Sequence, residues 1–341
     1  MKKKILLIIF SVLFAVNLKA QTDEEILKDA IALADAAKYE ESNKKLLPLY
    51  QKDYSKYLTG YNIALNFYML KNIKQAQKYA NEVVNANCEY SLQASVVLGR
   101  CYNINKKYKE EQNLYKTMAK KYPNEEMPFY CLGQSYIDQK NFQAAEKEFI
   151  HGLEIRFLSA NTHFKLAEVN NSQELYIQSM LAGYFFLLSE SNSARSLIVI
   201  NDIFTAMNIS DIDQVIARKE AVAEQLSQED RDLVSAMLFI NDLKKSNPDE
   251  TTKLPKPEVF IANSSELLKN IVETCNNDAG FYEKHYVKFF NSLINDGFLD
   301  AFLFCATSSI TNKDASTYFP NLTDKKMNEF VEWLKNILPT L

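Results

Sequence analysis

Apolar positions in this chain recur every three to four residues over most of its length, the period of one face of an α-helix. Between residues 228 and 243 the stripe is Leu233, Met237, Ile240 and Leu243. Near the C-terminus it is Phe330, Trp333, Leu334 and Ile337, behind Thr323, a residue suited to cap a helix. The same pattern predicts helices over 264–276 with Ser264 or Ser265 as cap, over 281–295 ending near Gly297, and over 298–307. Two or three more are predicted between 192 and 246, with Ser193 or Ser227 as caps. One run, Tyr184, Phe185, Phe186, Leu187 and Leu188, is apolar all round, so its helix should be buried on several sides.

In the first half the stripe repeats itself. Leu98-Gly99 returns as Leu132-Gly133, Tyr102 as Tyr136, Tyr108 as Phe142 and Tyr115 as Phe149, each 34 residues later. Backwards, Tyr39 aligns with Ile73, Leu46 with Ala80 and Ala30 with Ala64; forwards, Leu166-Ala167 follows Leu132-Gly133. One extra residue separates Phe67 from Tyr102. A unit of this length that cannot bury its own apolar face must stack on its neighbours.

A large residue, Leu-Gly, an aromatic, a small residue, an aromatic and a terminal Pro (Pro123) at this period resemble the tetratricopeptide repeat. The resemblance covers about residues 23–190 and implies an all-α solenoid of about five helical hairpins, each with a first helix A and a second helix B. Gly99, Gly133, Ala64 and Ala30 would let A approach B, and Tyr115 and Phe149 would fill the space between units. Departures are Glu111 at the usual small position, Phe157 in place of the terminal Pro, and a first copy without Leu-Gly. In the fifth unit the first helix is expected to be short, about 162–169, with Asn170, Asn171 and Ser172 opening a long second helix through Leu188.

The rest of the chain divides by composition. Lys2, Lys3 and Lys4, an apolar stretch from Ile5 to Val16 and a small residue at Ala20 read as a secretory signal cleaved before Gln21. No cysteine follows that cut, so a lipid anchor is not expected. Residues 247–257 carry Pro248, Pro255 and Pro257 among charged residues and read as a linker. The expected order is therefore a signal at 1–20, the repeat array at 21–190, a helical extension at 191–246, the linker, and a C-terminal helical cluster at 258–341. Repeats, helical cluster and signal together resemble exported repeat proteins of Bacteroidota, on the Ala20-Gln21 end, the run beginning at Tyr184 and the Gly297 to Ala301 region. The implied location is periplasmic, with outer-membrane association or secretion as alternatives.

Charge and chemistry narrow the function. There are 39 Lys and Arg against 43 Asp and Glu, and removal of residues 1–20 takes four lysines with it. Such a chain has no general attraction for nucleic acid or anionic lipid. The odd number of cysteines, five, precludes a complete disulfide framework, and most lie in apolar helical patterns as buried thiols. His151, His163 and His285 are far apart and in no zinc motif, and no glycine-rich phosphate loop or nucleophile elbow occurs. His151 and Glu154 share a helix face, but two groups are not a site. No metal, cofactor or catalytic residue is expected.

The resemblance implies that the A helices line a concave groove. Counting from Gly99 and Gly133 places Tyr61, Leu65, Tyr68, Arg100, Asn103, Tyr130, Gln134 and Asp138 on or near it. Tyr61 and Tyr130 can equally pack between neighbouring A helices. The carboxylate clamp of the repeat family is not matched: Asn62 fits, but Leu27, Ile31, Gln93 and Val97 occupy its other positions. The expected function is a non-catalytic scaffold holding a protein or peptide partner in the groove. The alternatives are an accessory domain or enzyme with its activity in the C-terminal cluster, or an envelope glycan-binding protein.

Overall fold

The computed structural model describes residues 21–246, 254–275, 278–311 and 317–341. The expected signal at 1–20 and the 247–253 part of the expected linker lie outside them. Every regular element among the described residues is helical, and none of these helices is long and apolar enough to cross a membrane. The chain forms two compact units that divide between Lys121 and Tyr122.

The first unit is three hairpins: α1 (Asp23–Asp35) with α2 (Tyr39–Gln51), α3 (Lys56–Met69) with α4 (Ile73–Asn85), and α5 (Ser91–Ile104) with α6 (Tyr108–Lys121). The second begins with two more, α7 (Glu126–Asp138) with α8 (Phe142–Ile155) and α9 (Ala160–Ser172) with α10 (Tyr176–Ser189). This is the tetratricopeptide-type hairpin repeat.

All five hairpins close with one turn. The N–H of Lys38, Asn72, Lys107, Asn141 and Leu175 donates to the carbonyl of Leu33, Phe67, Tyr102, Tyr136 and Asn170, at 2.8–2.9 Å. The residue before each donor is left-handed: Ala37, Lys71, Lys106, Lys140 and Glu174, φ 57–60°. This closure satisfies helix-end carbonyls that otherwise lack partners. None of the five is glycine, so each hairpin carries a backbone cost of about 1–2 kcal/mol. Asn72 and Asn141 then cap the second helices, accepting from the N–H of Gln75 and Ala144.

The repeat glycines have a specific neighbour. A Cβ on Gly133 would lie 2.6 Å from Cε1 of Phe149, and one on Gly99 would collide with the Tyr115 ring. Phe149 and Tyr115 therefore seat on the glycine of their own hairpin, rather than only filling space between units. The close approach puts an aromatic ring where a side chain would stand.

Three expected boundaries move. α9 is a full helix to Ser172, because Asn170 is buried and its amide donates to the Tyr282 hydroxyl at 2.9 Å. A tertiary partner thus holds an asparagine that sequence alone reads as a break. α10 starts at Tyr176, and its residues 176–187 are all buried, as the apolar run requires. The third shift is at Pro257, which begins α14 (Pro257–Thr274) instead of closing a linker. Proline lacks an N–H where a first turn needs none. Ser264, expected as the cap, is buried mid-helix and accepts from the Tyr184 hydroxyl at 2.7 Å.

After α10 come α11 (Ala194–Met207), α12 (Ile212–Glu220) and α13 (Gln228–Ser246). Ser193 caps α11 in a capping box, and Ser227 accepts from the N–H of Asp230 at the start of α13. α11 packs on α10, while α12 packs on α13. A π-helical turn, Glu283–Val287, leads into α15 (Lys288–Asn295), followed by α16 (Leu299–Ala306) and α17 (Asp324–Ile337), capped by Thr323. One continuous cluster of buried side chains runs from Ala145 to Phe330. That cluster has members on both sides of positions 190 and 258.

Candidate functional site

In the first unit, α3 carries Tyr61, Leu65 and Tyr68, all half-buried against the cluster around Ala64 and Leu98. Tyr61 stacks on Tyr90 with ring centroids 6.5 Å apart. On α5, Arg100 is exposed. Asn103 is committed to structure: its amide donates to both oxygens of Glu111, at 3.2 and 3.4 Å. Glu111 is buried, so Asn103 helps accommodate the acid that replaces the usual small residue.

In the second unit, α7 carries Tyr130, packed on Phe149 at 5.9 Å, and Gln134, half-buried with its carbonyl oxygen enclosed and without a hydrogen bond. Asp138 at its end is exposed. The candidates thus fall into two kinds. Arg100 and Asp138 face solvent, whereas the tyrosines and Leu65 share their surface with internal packing.

The repeat period points to further positions. Counting 34 residues on from Tyr130 and Gln134 gives Phe164 and Glu168 on α9, and 34 more gives Ile198 and Asp202 on α11. These residues come together. A cavity of about 90 Å³ opens between α9, α10 and α11, with an apolar lining of Phe164, Ala167, Gly183, Ile198, Val199 and Ile203 and a polar lining of Glu168, Asp202 and Ser179. The period that runs through Tyr130 and Gln134 reaches them directly.

Two sets of buried polar groups elsewhere in the second unit, around His163 and around Glu146, have structural partners. His163 is fully enclosed. Its Nε2 lies 2.6 Å from the Phe157 carbonyl, which only accepts, so the ring proton is on Nε2 and Nδ1 accepts from Tyr286 at 2.7 Å. Burial pushes its pKa down to about 3, partly offset by the Phe157 bond. Tyr282 donates to Glu146 at 2.9 Å, and Gln173 holds the other carboxylate oxygen at 2.9 Å. Burial raises Glu146 above the ordinary carboxylate range.

Near the start of α14's successor, acids do converge. A cavity of about 220 Å³ is lined by Cys275, Asp278, Glu283 and Lys288, among others. Glu229 of α13 accepts from the N–H of Glu283 at 2.8 Å, so its carboxylate caps the helical segment there. Burial pushes Glu229 up to about 7. Burial also raises Cys275 to about 12, the opposite of an activated thiol. His285 is not part of this cluster; its ring stacks on Phe157 at 5.1 Å and packs on Phe281 at 4.8 Å. All five cysteines are free thiols, and among the described residues no three His, Cys, Asp or Glu side chains gather as metal ligands.

Hairpins, turns and aromatic-on-glycine contacts define the class: a helical-repeat protein of the tetratricopeptide type. No protein-family model and no curated protein sequence matches the chain. Among solved structures, MamA 41-end from Desulfovibrio magneticus RS-1 and the MamA RS-1 ArsTM double mutant each match at 14% identity and TM-score 0.39, over 48% of this chain and 90% of theirs. A chain described under the functional characterization of Pseudomonas aeruginosa pilF matches at 15% identity and TM-score 0.46, over 72% of this chain and 97% of its own. Likeness at this level bears on neither function nor site.

Proposed function

We propose that this chain is a non-catalytic interaction scaffold of the cell envelope, and that a protein or peptide partner lies against the exposed faces of its first helices. The observation that carries this reading is periodic. Arg100, Gln134, Glu168 and Asp202 recur at the same repeat position on α5, α7, α9 and α11, outside the aromatic-and-small set that holds each hairpin together. Within the second unit, Gln134, Glu168 and Asp202 put polar groups at one phase of three successive hairpins, with apolar packing at the others, as a contact surface requires; Arg100 marks the same phase within the first unit. The lysine-rich start and the apolar stretch after it, read as a secretory signal, support the envelope setting, in the periplasm first. Three buried titratable groups of the second unit support the non-catalytic reading, because Glu146, His163 and Glu229 each hold a structural hydrogen bond.

The test uses Arg100→Glu with Asp138→Lys, one exposed position in each unit. Capture of native envelope partners by the full chain should fall several-fold, with helix content unchanged. Undiminished capture by the folded double variant would move the working surface away from α5 and α7. Tyr61 and Tyr130 are poorer probes, since both also pack internally.

A further inference from the structure

The cavity between α9, α10 and α11 is a largely apolar slot whose lining includes a half-buried carboxylate, Asp202, that no cation meets. Asp202 has no hydrogen bond or ion pair among the described residues. Its carboxyl is held above the ordinary range, first by burial and then by the like charge of Glu168. The nearby cations are engaged by other carboxylates. Lys165 pairs with Glu168 at 2.7 Å. Arg195 donates from Nε to Glu190 at 3.0 Å, and its guanidinium lies 5.3 Å over the rings of Phe164 and Phe186. A half-buried carboxylate left in this state is costly, and a cation from outside relieves it.

Size and lining select the kind of cation. The cavity holds about 90 Å³, well above the ~10–15 Å³ that a single water needs, which leaves room for a slender unbranched chain. Gly183 forms part of the wall, and the other walls are Phe164, Ala167, Ile198, Val199 and Ile203. A guanidinium side chain is longer and needs a planar fork of acceptors. A neutral aliphatic chain would fill the slot but desolvate Asp202 further with nothing to offset it. We propose that this slot takes a lysine side chain from a partner segment, its methylenes against the apolar wall and its ammonium at Asp202 beside Glu168. The inference rests on the reading that first-helix faces meet a partner, and it names what one of those faces selects.

The probe is n-butylammonium chloride, with n-butanol as its uncharged counterpart, read by methyl NMR of Ile198, Val199 and Ile203 in the full chain. Butylammonium should shift these methyls saturably, and butanol should bind roughly tenfold more weakly, the scale of one charged hydrogen bond. Asp202→Asn should reduce butylammonium to the level of butanol. Gly183→Ala keeps the carboxylate but narrows the slot, its added Cβ lying 3.1 Å from Cγ1 of Val199 and 3.2 Å from Cδ1 of Ile203. It should weaken both probes. No saturable shift at these methyls in the wild-type chain would overturn the proposal. So would equal binding of the two probes, or butylammonium binding that survives Asp202→Asn. Saturable, charge-dependent binding together with undiminished partner capture by the Arg100 and Asp138 variant would uphold the slot and overturn only the broader reading. Loss of capture in that variant with no shift here would do the reverse.

Discussion

The residues before and after the Lys121–Tyr122 division use the same hairpin in two ways. In the first unit the buried side chains fall into separate small clusters, one around Ala64, Ala76, Ala80 and Leu98, another around Leu27, Leu46, Leu49 and Ile63. In the second, one cluster takes in everything from Ala145 to Phe330. Every aromatic among the largest fully buried side chains, from Phe149 to Phe330, belongs to the second unit. Small residues at helix contacts let repeats approach closely while keeping each contact local. In the second unit α10 is apolar all round, so helices from beyond the repeats close over it. Three hydrogen bonds then tie α9 and α10 to the C-terminal helices: His163 to Tyr286, Asn170 to Tyr282 and Tyr184 to Ser264. A repeat hairpin can therefore serve as one element of a series or as the centre of a closed core, depending on how much of its second helix is apolar.

The sharpest way to break that contrast is Phe185→Ala. Phe185 is fully buried and touches Phe157, Tyr286 and Phe289. Its loss should cost about 3–5 kcal/mol, and thermal melting of the second unit should shift as one transition. Next come the repeat glycines. Gly99→Leu and Gly133→Leu both displace an aromatic ring and should each cost about 1–3 kcal/mol. In hydrogen exchange, the first should loosen only the first unit. The second should weaken the large core as well, because Phe149 belongs to it.

A smaller effect separates the units by pH. His163 is neutral in the fold, with its pKa pushed from 6.5 to about 3, so it takes up a proton only on unfolding. Stability from this group is present above 6.5 and is lost as pH falls toward 3, by at most ~1.4 kcal/mol per pH unit. Glu229, raised to about 7, runs the other way between 4.5 and 7, so wild type must be read against His163→Gln. Denaturant melts should show wild type losing stability relative to that variant from pH 6.5 to 4.5; parallel profiles would remove the buried-neutral account. Smallest is the turn. Lys106→Gly relieves a left-handed residue in the first unit and should stabilise by about 0.5–1 kcal/mol, measured as a raised midpoint in urea.

Sequence alone showed the hairpins because their packing needs particular residue types at fixed positions. Leu98-Gly99 and Leu132-Gly133 announce where helices touch, and Tyr115 and Phe149 announce what touches them. The turns carry no sequence mark, since Ala, Lys and Glu hold the left-handed position that glycine would have advertised. The full length of α9 was hidden because the partner of Asn170 is more than a hundred residues away. Pro257 was read as a linker because proline marks both loops and first turns. Glu168 and Asp202 lay at the predicted phase, but α11 sits beyond the last recognisable Leu-Gly pair.

Native-state hydrogen exchange of the unmodified chain tests the contrast between the units most directly. The account predicts that amides of α1 to α6 exchange through a series of local openings, with different free energies from hairpin to hairpin. Those of α9, α10, α14 and α15 should share one high opening free energy. A single common opening for α1 to α6, or an independent low-energy opening of α14 and α15 while α10 stays protected, would contradict it.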